Sequence, residues 1–171
     1  MTGVNAPVPV PWNMCLEAGN RAIAPREVAM RAIDIGRTHV ITALPETPVG
    51  DIAHLMVAHQ VSCVAIVDAE NVPVGVICER DLVVHPWRAH ADVRATDIMS
   101  KPAVVCHLDA SLAEIVQAME SGSIAHLPLV DAGRSLVGIV SATDVTAAVA
   151  ELLARLARAL APDALTDRPY A

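Results

Sequence analysis

The sequence predicts a mixed α/β fold built from two copies of one β-α-β-β-α unit that pack together with pseudo-twofold symmetry. The first observation is the stretch at residues 75–81: a glycine, an apolar pair, a small polar side chain and, three positions further on, an aspartate. It returns at residues 138–144, 63 residues later. The second observation is that other pairs keep this offset, among them Met56 with Met119. Two copies are too few for a solenoid, so a face-to-face pair is the expected packing.

The composition excludes several classes of protein. The 171 residues include no Phe, two Trp and one Tyr, so the core must be packed from aliphatic side chains. A net charge of −7 and scattered arginines argue against a nucleic-acid partner. No basic leader precedes an apolar segment, and no run reaches the roughly 18 apolar residues that suggest a membrane span. We therefore expect a cytoplasmic protein that binds neither nucleic acid nor membrane.

The cysteines predict no metal site. Cys15, Cys63, Cys78 and Cys106 stand singly, without the spacing to cysteine or histidine that closes a zinc site. We expect them to be small buried hydrophobes in a reducing compartment. Neither does the sequence fix a histidine or other base beside Cys63, so a cysteine nucleophile is a weak alternative.

Hydrophobic periodicity gives the elements of the first copy. Pro25 predicts the start of a leading helix, and the segment Thr47 to Asp51 is expected to cap the next one. That second helix has an apolar stripe at Val49, Ile52, Leu55 and Met56. The predicted elements of the copy are, in order, a strand at 40–43, a helix at 49–59, strands at 62–67 and 72–77, and a short helix at 79–84.

The second copy repeats this order and continues into a longer helix. The predicted elements are extended residues at 103–106, a helix at 111–121, strands at 125–130 and 135–140, and a helix over 142–160. Its leucines at 152, 153, 156 and 160 form a stripe that could pack on its own domain or serve self-association. The predicted organisation is an N-terminal extension at 1–24, a first domain with linker at 25–92, a second domain at 93–150, and a C-terminal helix and tail at 151–171.

These residues resemble the tandem cystathionine-β-synthase (CBS) domain module, also called a Bateman module. The resemblance rests on Asp97-Ile98-Met99 before a first short strand, on the run from His126 to Asp131, and on the Gly-apolar-apolar-Ser/Cys-x-x-Asp ending of both copies. It covers about residues 31–146. It implies two small sheets packed together, disc-like homodimers, and two clefts that bind adenine nucleotides or other adenosyl compounds without catalysis.

The resemblance also implies site residues. A carboxylate can accept hydrogen bonds from both ribose hydroxyls, and a hydroxyl at a helix N-terminus suits phosphate. In the main cleft Asp144 would hold ribose, Ser141 and Thr143 phosphate, and Ile41 with Val61, Ser62 and Cys63 adenine. In the companion cleft Cys78 replaces the usual hydroxyl, which puts phosphate binding in doubt. Its other residues would be Arg80, Asp81, Val104, Ala125 and His126.

Three readings of function remain open. The first is a regulatory module, not an enzyme, that needs no cofactor, senses an adenine nucleotide or S-adenosylmethionine and signals to an effector protein. The second is a structural interaction module with degenerate clefts, which Cys78 and an apparent shortage of cations around Asp144 favour. The third is enzymatic use of a cysteine. An Asp and Ser in this pattern also form an ordinary helix cap, so Asp144 and Ser141 are open to a purely structural interpretation.

Overall fold

The computed structural model describes residues 30–85 and 92–160, which form twelve elements. Those of the first repeat are α1 (Ala32–Ile35), β1 (Thr42–Ala43), α2 (Val49–His59), β2 (Cys63–Val67), β3 (Pro73–Cys78) and α3 (Glu79–Val84). Those of the second are α4 (Ala95–Ile98), β4 (Cys106–His107), α5 (Leu112–Gly122), β5 (His126–Val130), β6 (Leu136–Ser141) and α6 (Ala142–Leu160).

Each repeat forms its own three-stranded sheet. The strand orders are β1-β2-β3 and β4-β5-β6, with the first pair parallel and the second antiparallel in both sheets. Register is also shared, since Cys63 pairs with Cys78 in one sheet and His126 with Ser141 in the other. The predicted mixed fold of two β-α-β-β-α units is therefore confirmed.

The two cores exchange their leading segments. Ala32 of α1 is buried in the core of the second sheet, and Ala95 of α4 is buried in the core of the first. Backbone bridges fix both crossings, one between Arg37 and Ile139 and the other between Ser100 and Val76. The predicted boundary lies between residues 92 and 93, and each hydrophobic core takes a short helix from the other side of it.

Several local predictions need correction. Met30 and Arg31 are not helical and α1 begins at Ala32, while residues 25–29 lie outside the described part of the chain. Thr47 does not cap α2: the N-cap is Pro48, and the Thr47 hydroxyl accepts the Leu44 N–H at 3.0 Å instead. The strand predicted at 40–43 forms only at Thr42–Ala43. Of the extended stretch predicted at 103–106, only Cys106 is in a strand, which continues to His107. These short segments carry too few periodic residues to fix their ends.

The leucine stripe of α6 does not pack on its own domain. The helix is continuous from Ala142 to Leu160, and its first turns bury Val145 against the second core. Further along, the stripe remains 47–72% exposed at Leu152, Leu153, Leu156 and Leu160. The helices in the described part of the chain all lack the length or the hydropathy of a transmembrane span.

Candidate functional site: the Arg37–Asp144 cleft

Asp144 is held at the start of α6 by a reciprocal cap. Its Oδ2 atom accepts hydrogen bonds from the backbone N–H of Ser141 at 2.9 Å and from the Ser141 hydroxyl, whose oxygen accepts the Asp144 N–H at 3.1 Å. Asp144 and Ser141 therefore form the helix cap that the structural interpretation expects. The cap uses the Oδ2 atom of the carboxylate, while Oδ1 points toward another group.

That second oxygen faces Arg37. The Arg37 Nε lies 3.4 Å from Asp144 Oδ1, and the guanidinium side chain is 70% exposed while the carboxylate is 14% exposed. Burial alone would raise the pKa of Asp144, but hydrogen bonds from Ser141 and the charge of Arg37 outweigh it and hold that pKa below its ordinary value. Asp144 is thus a fixed anion with an exposed cation beside it.

A cavity of about 220 Å³ opens next to this ion pair. Its walls come from both repeats, because Ile41, Val61 and Cys63 meet Ile139 of β6 across it. The remaining lining residues are Arg37, His39, Val40 and His59. An apolar slot with polar groups at its rim is the usual form of a small-molecule site.

The structure brings only part of the predicted main cleft together. Ile41, Val61 and Cys63 line the cavity. Asp144 is not among the lining residues, but its carboxylate contacts Arg37, which is. Ser62 is exposed and turned toward His126, with its Oγ 3.2 Å from the ring Nε2. Thr143 and Ser141 stand at the start of α6 beside Asp144, where Thr143 is exposed.

Sequence reasoning missed the cation of this cleft. It expected a shortage of positive charge around Asp144, but the Arg37 guanidinium contacts that carboxylate. No spacing rule could have found Arg37, since the segment that carries it crosses to the other repeat.

The companion cleft differs at the matching positions. The Asp81 Oδ2 accepts the Cys78 N–H at 2.7 Å, as expected for the equivalent cap. Ser100 stands 63 residues after Arg37, so the cation is lost, and Arg80 is exposed. Val104 is 39% exposed, and the Ala125 carbonyl accepts the Ala142 N–H at 2.8 Å. The two clefts are therefore chemically unequal.

A second constellation joins thiols to an imidazole. The ligand atoms of Cys63, Cys78 and His126 all lie within 4.8 Å of one another. A hydrogen bond between the two cysteines, together with burial, raises the pKa of Cys63. The same bond, helped by His126 and opposed by burial, lowers the pKa of Cys78. Cys63 is therefore a buried, protonated thiol, as the sequence predicts. The expectation of a buried, inert cysteine is wrong for Cys78, which is half-buried and has a lowered pKa.

Comparison with known proteins identifies the family. The model of the CBS domain matches residues 32–87 and again residues 95–151. The chain belongs to the CBS domain family. The paired matches coincide with the two repeats, so the predicted tandem CBS pair is confirmed.

Individual relatives agree with this assignment. An uncharacterized protein of Methanopyrus kandleri is 37% identical over 122 residues, which cover 68% of this chain and 62% of that protein. The CBS domain pair of protein MJ0100, solved with 5′-methylthioadenosine and S-adenosyl-L-methionine, is 24% identical with a TM-score of 0.66 and covers 72% of this chain and 98% of that one. CBSX2, solved with AMP, is 22% identical with a TM-score of 0.62, covering 72% and 98%. At these identities both structures establish the fold of the CBS pair.

Proposed function

We propose that this CBS pair is a non-catalytic regulatory module that binds an adenosyl ligand in the Arg37–Asp144 cleft. The observation that carries the proposal is the apolar cavity between the repeats, with a fixed carboxylate and an exposed guanidinium at its rim. Such a site offers a surface for a flat base and polar groups for a ribose phosphate. That similar folds were solved with 5′-methylthioadenosine, S-adenosyl-L-methionine and AMP supports an adenosyl ligand.

The ligand would lie across the interface of the repeats. Adenine would occupy the slot against Ile41 and Val61, and the ribose hydroxyls would donate to Asp144 Oδ1, the oxygen that the cap leaves directed to Arg37. The volume of 220 Å³ is smaller than the roughly 300–1,000 Å³ of most ligand pockets. Only the base would therefore be enclosed, with ribose and phosphate at the open rim near Ser141 and Thr143.

The charges favour a phosphate-bearing ligand. Arg37 is largely exposed and bonds Asp144 at the long distance of 3.4 Å, so it can turn to an arriving anion. Arginine binds phosphate oxygens through paired, charge-assisted hydrogen bonds. The sulfonium of S-adenosylmethionine would meet the same guanidinium as a like charge. We therefore infer AMP, ADP or ATP as the ligand class.

Occupancy would be transmitted by a population shift. A ligand that contacts Ile41 and Val61 of one repeat and Asp144 and Ile139 of the other stabilises the relative orientation in which all of these groups reach it. An effector protein that binds the ligand-bound and ligand-free orientations of the repeats with different affinity would respond to whether the cleft is occupied. The size of the response is limited to the difference in ligand affinity between the two orientations.

Calorimetric titration with AMP, ADP, ATP, 5′-methylthioadenosine and S-adenosylmethionine tests the proposal. The chain offers a matched pair of variants, because Asp144 and Asp81 hold the same position in the two repeats. We expect binding of a nucleotide to the native chain, its loss in Asp144→Ala, and its retention in Asp81→Ala. Equal loss in both folded variants, or no binding of any compound by the native chain, would overturn the assignment.

A second function, self-association, is favoured by the exposed leucine stripe of α6. Four leucines on one face of a helix remain 47–72% exposed. A contiguous apolar surface of this kind typically marks a site of protein association. We propose that this stripe is covered in a homodimer. This role and ligand binding are compatible, because the stripe lies beyond the first turn of α6 where Asp144 stands.

A further inference from the structure

Three side chains with soft or borderline ligand atoms meet where the two repeats touch. Cys63 and Cys78 are opposite each other in the β2–β3 register, so their side chains lie on one face of the first sheet. His126 begins β5 of the second sheet and places its Nδ1 3.7 Å from the Cys78 Sγ. Cys63 is 7% exposed, and the other two residues are half-buried.

The spacing of these atoms fits one tetrahedral metal ion. Zinc lies about 2.3 Å from thiolate sulfur and about 2.0–2.1 Å from imidazole nitrogen, which at tetrahedral angles puts sulfur and nitrogen about 3.6 Å apart. The distance from Cys78 Sγ to His126 Nδ1 is 3.7 Å. All the ligand atoms lie within 4.8 Å of one another, so small side-chain rotations would complete the set.

An independent contact orients the imidazole for this role. The Ser62 Oγ lies 3.2 Å from Nε2 of His126, on the side of the ring away from the thiols. If Nε2 carries the proton and donates it to Ser62, Nδ1 presents its lone pair toward Cys78. Histidines that bind metals nearly always donate the other ring N–H to an acceptor, most often a carboxylate, a backbone carbonyl or water, and the Ser62 hydroxyl oxygen can fill that role.

The repeat symmetry explains why one such cluster forms. Cys63 and His126 are 63 residues apart and therefore occupy equivalent positions, so their contact lies close to the pseudo-twofold axis. The equivalent of Cys78 is Ser141, which caps α6 and bonds Asp144. Only the first repeat supplies a second sulfur.

We propose that Cys63, Cys78 and His126 form a binding site for a single thiophilic cation of the zinc class. Two thiolates and one neutral imidazole would bind the ion, and each thiol would release its proton to solvent on binding. Three protein ligands leave a fourth position open to water or another small ligand. Because the sulfurs come from one repeat and the nitrogen from the other, the ion would link the two repeats.

The test is a titration of the full chain, reduced and kept free of oxygen, with Co²⁺ as the spectroscopic probe for zinc. We expect one Co²⁺ per chain, with thiolate charge-transfer absorption and the visible bands of a tetrahedral site, displaced by one equivalent of Zn²⁺. Zn²⁺ should also raise the melting temperature, since folding brings the three ligands together and the folded chain should therefore bind it more tightly than the unfolded one. These readouts require no nucleotide, so they are independent of the function proposed above.

Matched variants locate the ion. Cys78→Ser gives the first repeat the serine that the second has at position 141, so it is expected to fold. With only Cys63 left as a sulfur ligand, it should bind Co²⁺ more weakly and show a weaker charge-transfer band. His126→Gln should lose the tetrahedral spectrum, and Ser62→Ala should weaken binding by about 10–100-fold. Cys106→Ala and Cys15→Ser should keep one bound Co²⁺.

Two results would overturn the proposal. One is a folded, fully reduced native chain that binds Co²⁺ without thiolate charge transfer or binds none. The other is unchanged binding in Cys78→Ser. In either case, a disulfide between Cys63 and Cys78 in the air-exposed protein would assign the pair to thiol redox chemistry instead.

Discussion

Replacing Arg37 with Ala should weaken the binding of phosphate-bearing adenosyl ligands selectively. The change removes the guanidinium that lies 3.4 Å from Asp144 Oδ1 and leaves that carboxylate facing the incoming phosphate. The Arg37 backbone, which exchanges hydrogen bonds of 2.8 and 2.9 Å with Ile139, is left in place. The cavity wall should therefore keep its shape, and the effect should be electrostatic.

The magnitude follows from the exposure of the side chain. A hydrogen bond to a charged group contributes about 1.5–3 kcal/mol, and the 70% exposure of Arg37 places it at the lower end. We expect AMP to bind about tenfold more weakly, since each 1.4 kcal/mol is about a factor of ten. Adenosine, which has no phosphate, should bind almost as well as before. The tenfold difference should shrink as salt is added, because exposed charges are screened.

Calorimetric titration of AMP and adenosine into native, Arg37→Ala and Arg37→Lys proteins measures this selectivity. Arg37→Lys keeps the charge but not the paired hydrogen bonds, so its AMP affinity should fall between those of the native and Arg37→Ala proteins. Ser100→Ala, at the equivalent position of the other repeat, should change neither ligand. The reasoning is refuted if adenosine and AMP lose affinity equally in Arg37→Ala, because Arg37 would then act on the cavity and not on phosphate.

Three further predictions concern stability and assembly. In Gly36→Ala the new Cβ would lie 2.7 Å from the Ile139 carbonyl oxygen, so the free energy of unfolding in urea should fall by about 1–3 kcal/mol. Gly133→Ala is the control, because its new Cβ would have a side-chain oxygen at 3.3 Å as its nearest neighbour. Equal stabilities of the two variants would contradict the packing around Gly36. Because the pKa of Asp144 is lowered in the folded state, its stabilising effect is present above the unfolded-state pKa of about 4 and is lost as pH falls through the lower folded-state value. Asp144→Asn should therefore show a smaller fall in unfolding free energy at acid pH than the native protein. Parallel pH profiles of the two proteins would contradict this role of Asp144. Deleting residues 151–171 should shift the sedimentation coefficient to that of a monomer while nucleotide binding persists, and an unchanged assembly would place the dimer contact elsewhere.

The regular parts of each repeat were predictable because periodicity and burial act locally. The helix expected at 49–59 has those bounds, and its buried face is Val49, Ile52 and Met56. The strand predicted at 62–67 forms as β2 from Cys63 to Val67, while Ser62 is exposed and precedes it. It pairs with the following strand, as a short connection favours. The constant offset between copies then predicted the pairing in the second sheet.

The parts that were not predictable depend on contacts between the repeats. Nothing near Arg37 in the sequence indicates that its backbone pairs with Ile139 or that its side chain meets Asp144. The resemblance placed His126 in one cleft with Cys78, and the structure brings those two together. It gave no sign that Cys63 would join them. Spacing rules for metal sites and ion pairs apply within one element, whereas both of these constellations join residues far apart in the chain.

Methyl NMR of the isoleucines and valines, recorded with and without AMP, tests most directly whether the ligand binds in the Arg37–Asp144 cleft. Ile41, Val61 and Ile139 line that cavity, and the equivalent positions in the companion cleft are Val104, Ile124 and Val76. We expect saturable shifts of the first three methyl-bearing residues, absent in Asp144→Ala, with the second three unmoved. Shifts confined to Val104, Ile124 and Val76, or no shifts at saturating AMP, would contradict the account.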